Sequence, residues 1–149
     1  MPVLKNYDLR IRRESIGEKP AVYSKRVHCE TDVAELARMV VGDAAQEVML
    51  VFLLNIKNHV VGFTEVARGS IDSCPVDLRQ LFRVAVISGA AAIIVAHNHP
   101  SGDPTPSEED RRLTRRVEEA AELLGIKLLD HVVVTDTDCS SMRAKGELT

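Results

Sequence analysis

His97 and His99 stand one residue apart at the end of an apolar run, AIIVAHNHP, and an acidic stretch, SEED, follows shortly after. In an extended segment, side chains two apart point to the same side, so the two imidazoles project together while Asn98 points away. That geometry suits two ligands on one metal ion. A catalytic zinc site takes three protein ligands from His and carboxylate and leaves the fourth position to water. Asp103, Glu108, Glu109 and Asp110 are the candidates for the third ligand, and the Pro- and Gly-rich loop from Pro100 to Pro106 has to bring one of them back. If Ser107 caps a helix, Asp110 falls at the third helical position, in the first turn, where its side chain can look back toward the loop. Glu108 and Glu109 then point elsewhere around the helix. Ser107-x-x-Asp110 is equally a plain helix start, since a hydroxyl caps free amides and acidic residues suit the positive helix end. A hydrolytic centre also needs a base to take the proton of the attacking water and return it to the leaving group. Glu65 stands in a strand of apolar neighbours and is a candidate, although an isolated strand glutamate is also a common exposed-face residue.

These residues need elements to hold them. Thr31 and Asp32 read as helix-start residues, Asp32 with Glu35 fits a capping-box spacing, and Val33, Leu36, Ala37, Val40 and Val41 form one face of a helix that Gly42 ends. Val48 to Leu54 reads as a buried strand, and Asn55 to Asn58 turns it into a second strand near Val60 to Arg68. A loop with Gly69, Ser70 and Pro75 leads to Asp77 and a second amphipathic helix through Leu78, Leu81, Phe82, Ala85 and Val86. Ala91 to Ala96 is a short strand that delivers the histidines. Ser107 starts a third helix, with Leu113, Val117, Ala120, Ala121 and Leu124 facing inward, Gly125 caps it, and Lys127 to Val134 is a closing strand. The order α, β, β, α, β, α, β predicts an α/β (α+β) fold, a mixed sheet with helices packed on it.

The 149 residues can bury one sizeable core, so one domain is expected, preceded by an N-terminal arm over 1–30 and occupying 31–149. Trp is absent and only five residues are Phe or Tyr, which argues against an aromatic platform for single-stranded nucleic acid. The net charge of −3 gives no electrostatic case for gripping duplex DNA, with one local exception in the basic residues of the arm, Lys5, Arg10, Arg12, Arg13, Lys19, Lys25 and Arg26. Cys29, Cys74 and Cys139 fit neither a disulfide framework nor a thiolate zinc site, and read as reduced thiols. No apolar stretch reaches the length of a membrane span or a signal peptide, and the expected location is the cytoplasm, with no membrane partner.

Glu65, His97, His99, Ser107 and Asp110 together resemble the JAMM, or MPN-plus, zinc metalloprotease motif: an upstream Glu, then His-x-His, seven residues, Ser, two residues, Asp. Beyond the motif, EVARGSIDSCPVDLRQLFRVAVISGAAAIIVAHNHPSGDPTPSEED and LLGIKLLDHVVV are similar to the bacterial RadC family over roughly residues 31 to 145. The resemblance implies a JAB/MPN fold with cytidine-deaminase-like layering. It implies one zinc held by His97, His99 and Asp110, with water as fourth ligand and Glu65 as general acid/base. Ser107 would donate to the oxyanion formed at an amide or isopeptide carbonyl of a protein or peptide substrate. Among the neighbouring residues, Asn98 and Asp103 read equally as braces of the site or as partners in the loop's own hydrogen bonding, His131 as structural within its strand, and His28 and His59 as surface residues.

Longer RadC relatives carry an N-terminal helix-hairpin-helix-like region associated with DNA binding. The residues before the first clear helix here are too few for it. That weakens the DNA-repair association of the family, but with the basic N-terminal arm it still motivates the alternative to a zinc-dependent hydrolase, a DNA-repair or recombination accessory that binds nucleic acid or a repair partner. A catalytically silent MPN-type scaffold is a third reading, against which the full set of Glu65 and three ligands speaks.

Overall fold

A continuous aliphatic run with no polar alternation needs cover on both faces, and the sheet provides it for β1 (Val48–Leu54) and β3 (Ala92–Asn98), whose residues are all buried. The computed structural model describes residues 4–6, 26–69 and 76–149. Most of the basic arm, and the loop residues Ser70 to Pro75 with Cys74, lie outside the described residues. The remaining elements are α1 (Glu30–Val41), β2 (Val60–Arg68), α2 (Leu78–Ser88), α3 (Glu108–Leu124), β4 (Lys127–Val134) and β5 (Cys139–Ser141). The strand order is β2-β1-β3-β4-β5, with β3 and β4 parallel and the other pairs antiparallel. This is the expected mixed α/β architecture.

Alternation along the strands sorts the core into two layers. Val48, Leu50, Phe52, Leu54, Ile94 and Ala96 pack with Val33, Leu36 and Ala37 of α1. Met49, Val51, Leu53, Ile93 and Val95 pack on the other face with Leu81, Phe82 and Ala85 of α2 and Leu113, Val117 and Ala121 of α3. The helices thus sandwich the sheet. Asn58 closes the β1–β2 hairpin at φ 61, a left-handed conformation that Asn tolerates, and the Asn55 side chain accepts from Lys57 N and His59 N.

Three boundaries differ from the sequence reading. The first helix starts at Glu30 behind an N-cap at Cys29 rather than at Thr31 or Asp32, because the Asp32 carboxylate accepts from His28 N (2.9 Å) and Cys29 N (3.4 Å). Asp32 is thus the third residue of a capping arrangement, not its first. The third strand runs on to Asn98, since His97 and Asn98 pair with Val133 and Val134. The short β5, paired with Val132 to Val134, had no apolar pattern to announce it. Among the described residues no helix is long and apolar enough to cross a membrane.

Candidate metal centre

β3 ends at Asn98, so His97 is its penultimate residue and His99 stands just beyond its C-terminal end, with His97 on the α3 side of the sheet. His97 pairs with Met49 across β1, and Met49 belongs to the layer under α2 and α3. Asn98 points the other way, accepting from Val48 N (2.6 Å) and donating to Gln46 O (3.0 Å), so it pins the histidine strand to the start of β1. A turn closed by Gly102 N donating to His99 O, with Gly102 at φ 86, starts the return loop. Ser107 then caps α3: its hydroxyl accepts from Asp110 N (3.0 Å), and Asp110 Oδ2 accepts from Ser107 N (2.8 Å).

That capping box turns the Asp110 carboxylate back onto the histidines. His97 Nε2 lies 3.3 Å from Asp110 Oδ1, His99 Nε2 lies 3.2 Å from Oδ2, and the two Nε2 atoms are 2.9 Å apart. Ligand atoms of these three residues all fall within 4.8 Å of one another, a group that could hold a metal ion. His97 and Asp110 are each 1% exposed, and His99 reaches solvent. Asp103 and Glu109 stand outside the group. The Asp103 carbonyl accepts from His99 Nδ1 (2.9 Å) and its carboxylate from Thr105 N, while Glu109 pairs with Arg112. Because a carbonyl only accepts, His99 carries a proton on Nδ1.

The electrostatics follow from this packing. Burial pushes the Asp110 carboxyl up, but the two imidazoles beside it outweigh that and hold the group well below the usual carboxylate range. The hydrogen bond with Asp110 raises His99 above the ordinary histidine value, against burial and with help from the Asp103 carbonyl and the charges of Asp110 and Glu47. Two ring nitrogens and a carboxylate so close together need a positive charge among them, either a proton or a cation. Imidazole and carboxylate in this number suit a divalent transition metal. A cavity of about 410 Å³ opens beside His99, bounded by Asn98, Pro100, Gly102, Arg38 and Thr135. A larger one, about 790 Å³, follows the edge of β4 and touches none of the cluster.

Glu65 is not one of the three grouped ligands, and its carboxylate is engaged elsewhere. It pairs across β2 and β1 with Leu50, which packs on the α1 side, and its Oε1 accepts from Arg68 at 2.5 Å. Two other residues do approach the histidines. Glu47, the residue before β1, acts on His99 through its charge. His131 stands behind His97, with its Nε2 2.7 Å from His97 Nδ1. Neither was singled out for the site from sequence. Glu47 immediately precedes the buried run of β1, which was its one available signal.

A family model described as a RadC-like JAB domain matches residues 27–147. The chain belongs to that family. Proteins similar to this RadC-like domain include one named UPF0758 protein from Desulforamulus reducens, 42% identical over 88% of this chain and 58% of the relative. Another of that name, from Carboxydothermus hydrogenoformans, is 47% identical over 76% of this chain and 50% of its own length. A third, from Desulfitobacterium hafniense, is 38% identical over 94% and 61%. The RadC-like chain thus spans about half to three-fifths of the curated relatives it matches.

Proposed function

We propose that this RadC-like domain is a zinc-dependent hydrolase that cleaves an amide or isopeptide bond in a protein or peptide. The observation that carries the reading is the convergence of two histidine Nε2 atoms and both Asp110 oxygens within 3.3 Å at a buried strand end. His97, His99 and Asp110 would hold the ion. Bound there, zinc would supply Lewis acidity, lowering the pKa of water and polarising the scissile carbonyl.

The chain's own groups would do the proton work. Ser107 uses the acceptor side of its hydroxyl at the helix cap, so its O–H remains to be donated to a developing oxyanion. Two carboxylates compete for the base. Glu65 is the residue the motif implies, and to serve it would have to leave Arg68. Glu47 is favoured by its charge on the His99 ring.

The test is turnover of peptide and isopeptide libraries by zinc-reconstituted protein, with Glu47→Gln and Glu65→Gln compared at equal zinc content. A general base contributes about 10²- to 10⁴-fold. Loss of that size in Glu47→Gln with Glu65→Gln near wild type is expected, and the reverse pattern would return the role to Glu65. Zinc bound without turnover in any library would contradict the hydrolase reading and favour a scaffold.

A further inference from the structure

Behind His97 runs a chain of hydrogen bonds whose direction is set by the backbone of α3. The carbonyl of Asp110 can only accept, and Thr114 Oγ1, four residues on, lies 2.7 Å from it, so the hydroxyl proton points there. The same oxygen is 2.5 Å from His131 Nδ1. With its proton spent it has only lone pairs to offer, and His131 must carry its own proton on Nδ1. That leaves a lone pair on His131 Nε2, which faces His97 Nδ1 at 2.7 Å. His97 therefore donates from Nδ1, and its Nε2 lone pair is turned toward His99 and Asp110. Met142 Sδ, 3.4 Å from the Thr114 hydroxyl, is a second acceptor for the same proton and leaves the direction unchanged. His97, Asp110, Thr114 and His131 are each 1% exposed, so bulk water does not reach the chain to reverse it.

We propose that Thr114 and His131 are positioning residues that hold His97 in its Nδ1–H tautomer and thereby set the affinity of the site for its metal, a role that rests on the metal-site reading above. Asp110 then acts twice. Its carboxylate is one ligand, and its carbonyl orders the protons behind another. The parallel pairing of β3 with β4, which places Val95 beside His131 and His97 beside Val133, supplies the register that brings the two rings together.

Loss of the Thr114 hydroxyl removes the acceptor of the His131 Nδ1 proton. His131 then moves its proton to Nε2 and donates it to His97 Nδ1. The His97 proton is thereby shifted to Nε2, where a metal has to displace it. Outer partners of ligating histidines are worth about 10- to 100-fold in metal affinity. Thr114→Val, close in shape, is expected to weaken zinc binding by that factor in competition with a chromophoric chelator. Thr114→Ser is expected to restore it, and His131→Phe, which keeps a ring and offers no acceptor, to weaken it likewise.

The independent readout is ¹⁵N NMR of the histidine side chains in metal-free protein. His131 is expected as the Nδ1–H tautomer in the wild type and as Nε2–H in Thr114→Val. An Nε2–H His131 in the wild type would overturn the proposal whether or not Thr114→Val folds. So would wild-type zinc affinity in folded Thr114→Val and His131→Phe. Failure of the wild type to bind zinc would instead remove the metal-site reading, while the tautomers would still decide the proton order.

Discussion

Helices α1 and α3 begin with the same local device and put it to different use. At each, an aspartate at the third helical position reaches back to the backbone of the N-cap residue: Asp32 to Cys29 N at 3.4 Å, Asp110 to Ser107 N at 2.8 Å. Asp32 is partly buried and also accepts from His28 N. Asp110 is buried and faces two imidazoles. A capping box fixes where a carboxylate stands relative to its own helix and says nothing of what it meets. The loop from Pro100 to Pro106 and the length of β3 decide that for Asp110.

The widest separation between the two ends is expected in metal binding. Asp110→Asn removes a ligand and should weaken zinc by more than the roughly 100-fold attributed to outer partners, whereas Asp32→Asn should leave affinity unchanged. Chelator competition on both variants checks it, and equal affinities would erase the distinction. Next in size is an acid-sensitive stability belonging to the α3 end. Burial pushes His131 down to about 3, while in the unfolded chain it takes a proton near 6.5. Its contribution is present above about pH 6.5 and lost as pH falls toward 3. Asp110, held low, likewise contributes above about pH 4 and loses that contribution on further acidification.

His99 has the opposite sign, since its raised pKa gives a contribution present below about 6.5 and lost as pH rises through the folded value. Solvent reaches His99, so this offset is partial. Urea midpoints of metal-stripped protein should therefore fall from pH 6.5 to 4, and less so in His131→Phe. Identical slopes would contradict the assignment. Smaller still, Ser107→Ala should cost about 0.5–2 kcal/mol through the lost cap, read by thermal unfolding. Cys29→Ser should do the reverse at α1, a gain of at most about 1 kcal/mol, because serine is the better N-cap. It makes the two boxes alike in chemistry and should add no metal binding.

How much of this was legible in the sequence depended on the range of the interactions involved. Val48–Leu54, Val60–Arg68 and Lys127–Val134 match their expected strands because apolar runs and turn residues are local signals. Asp110 could be favoured over Asp103, Glu108 and Glu109 because a helix cap is also local. His131 could not be placed, since its nearness to His97 comes from the register of β4 on β3, a pairing between segments far apart in the chain. Glu65 shows the converse. Its apolar neighbours single it out, but they are silent on the cross-strand pairing with Leu50 and the contact with Arg68 that engages its carboxylate.

The central claim is that one metal ion sits among His97 Nε2, His99 Nε2 and the Asp110 carboxylate. An anomalous difference map from crystals of zinc-reconstituted protein, recorded on both sides of the zinc edge, tests it directly. A single peak among these three groups, present above the edge and absent below it, is the expected result. No peak there in protein shown to carry zinc, or one peak elsewhere, would contradict it.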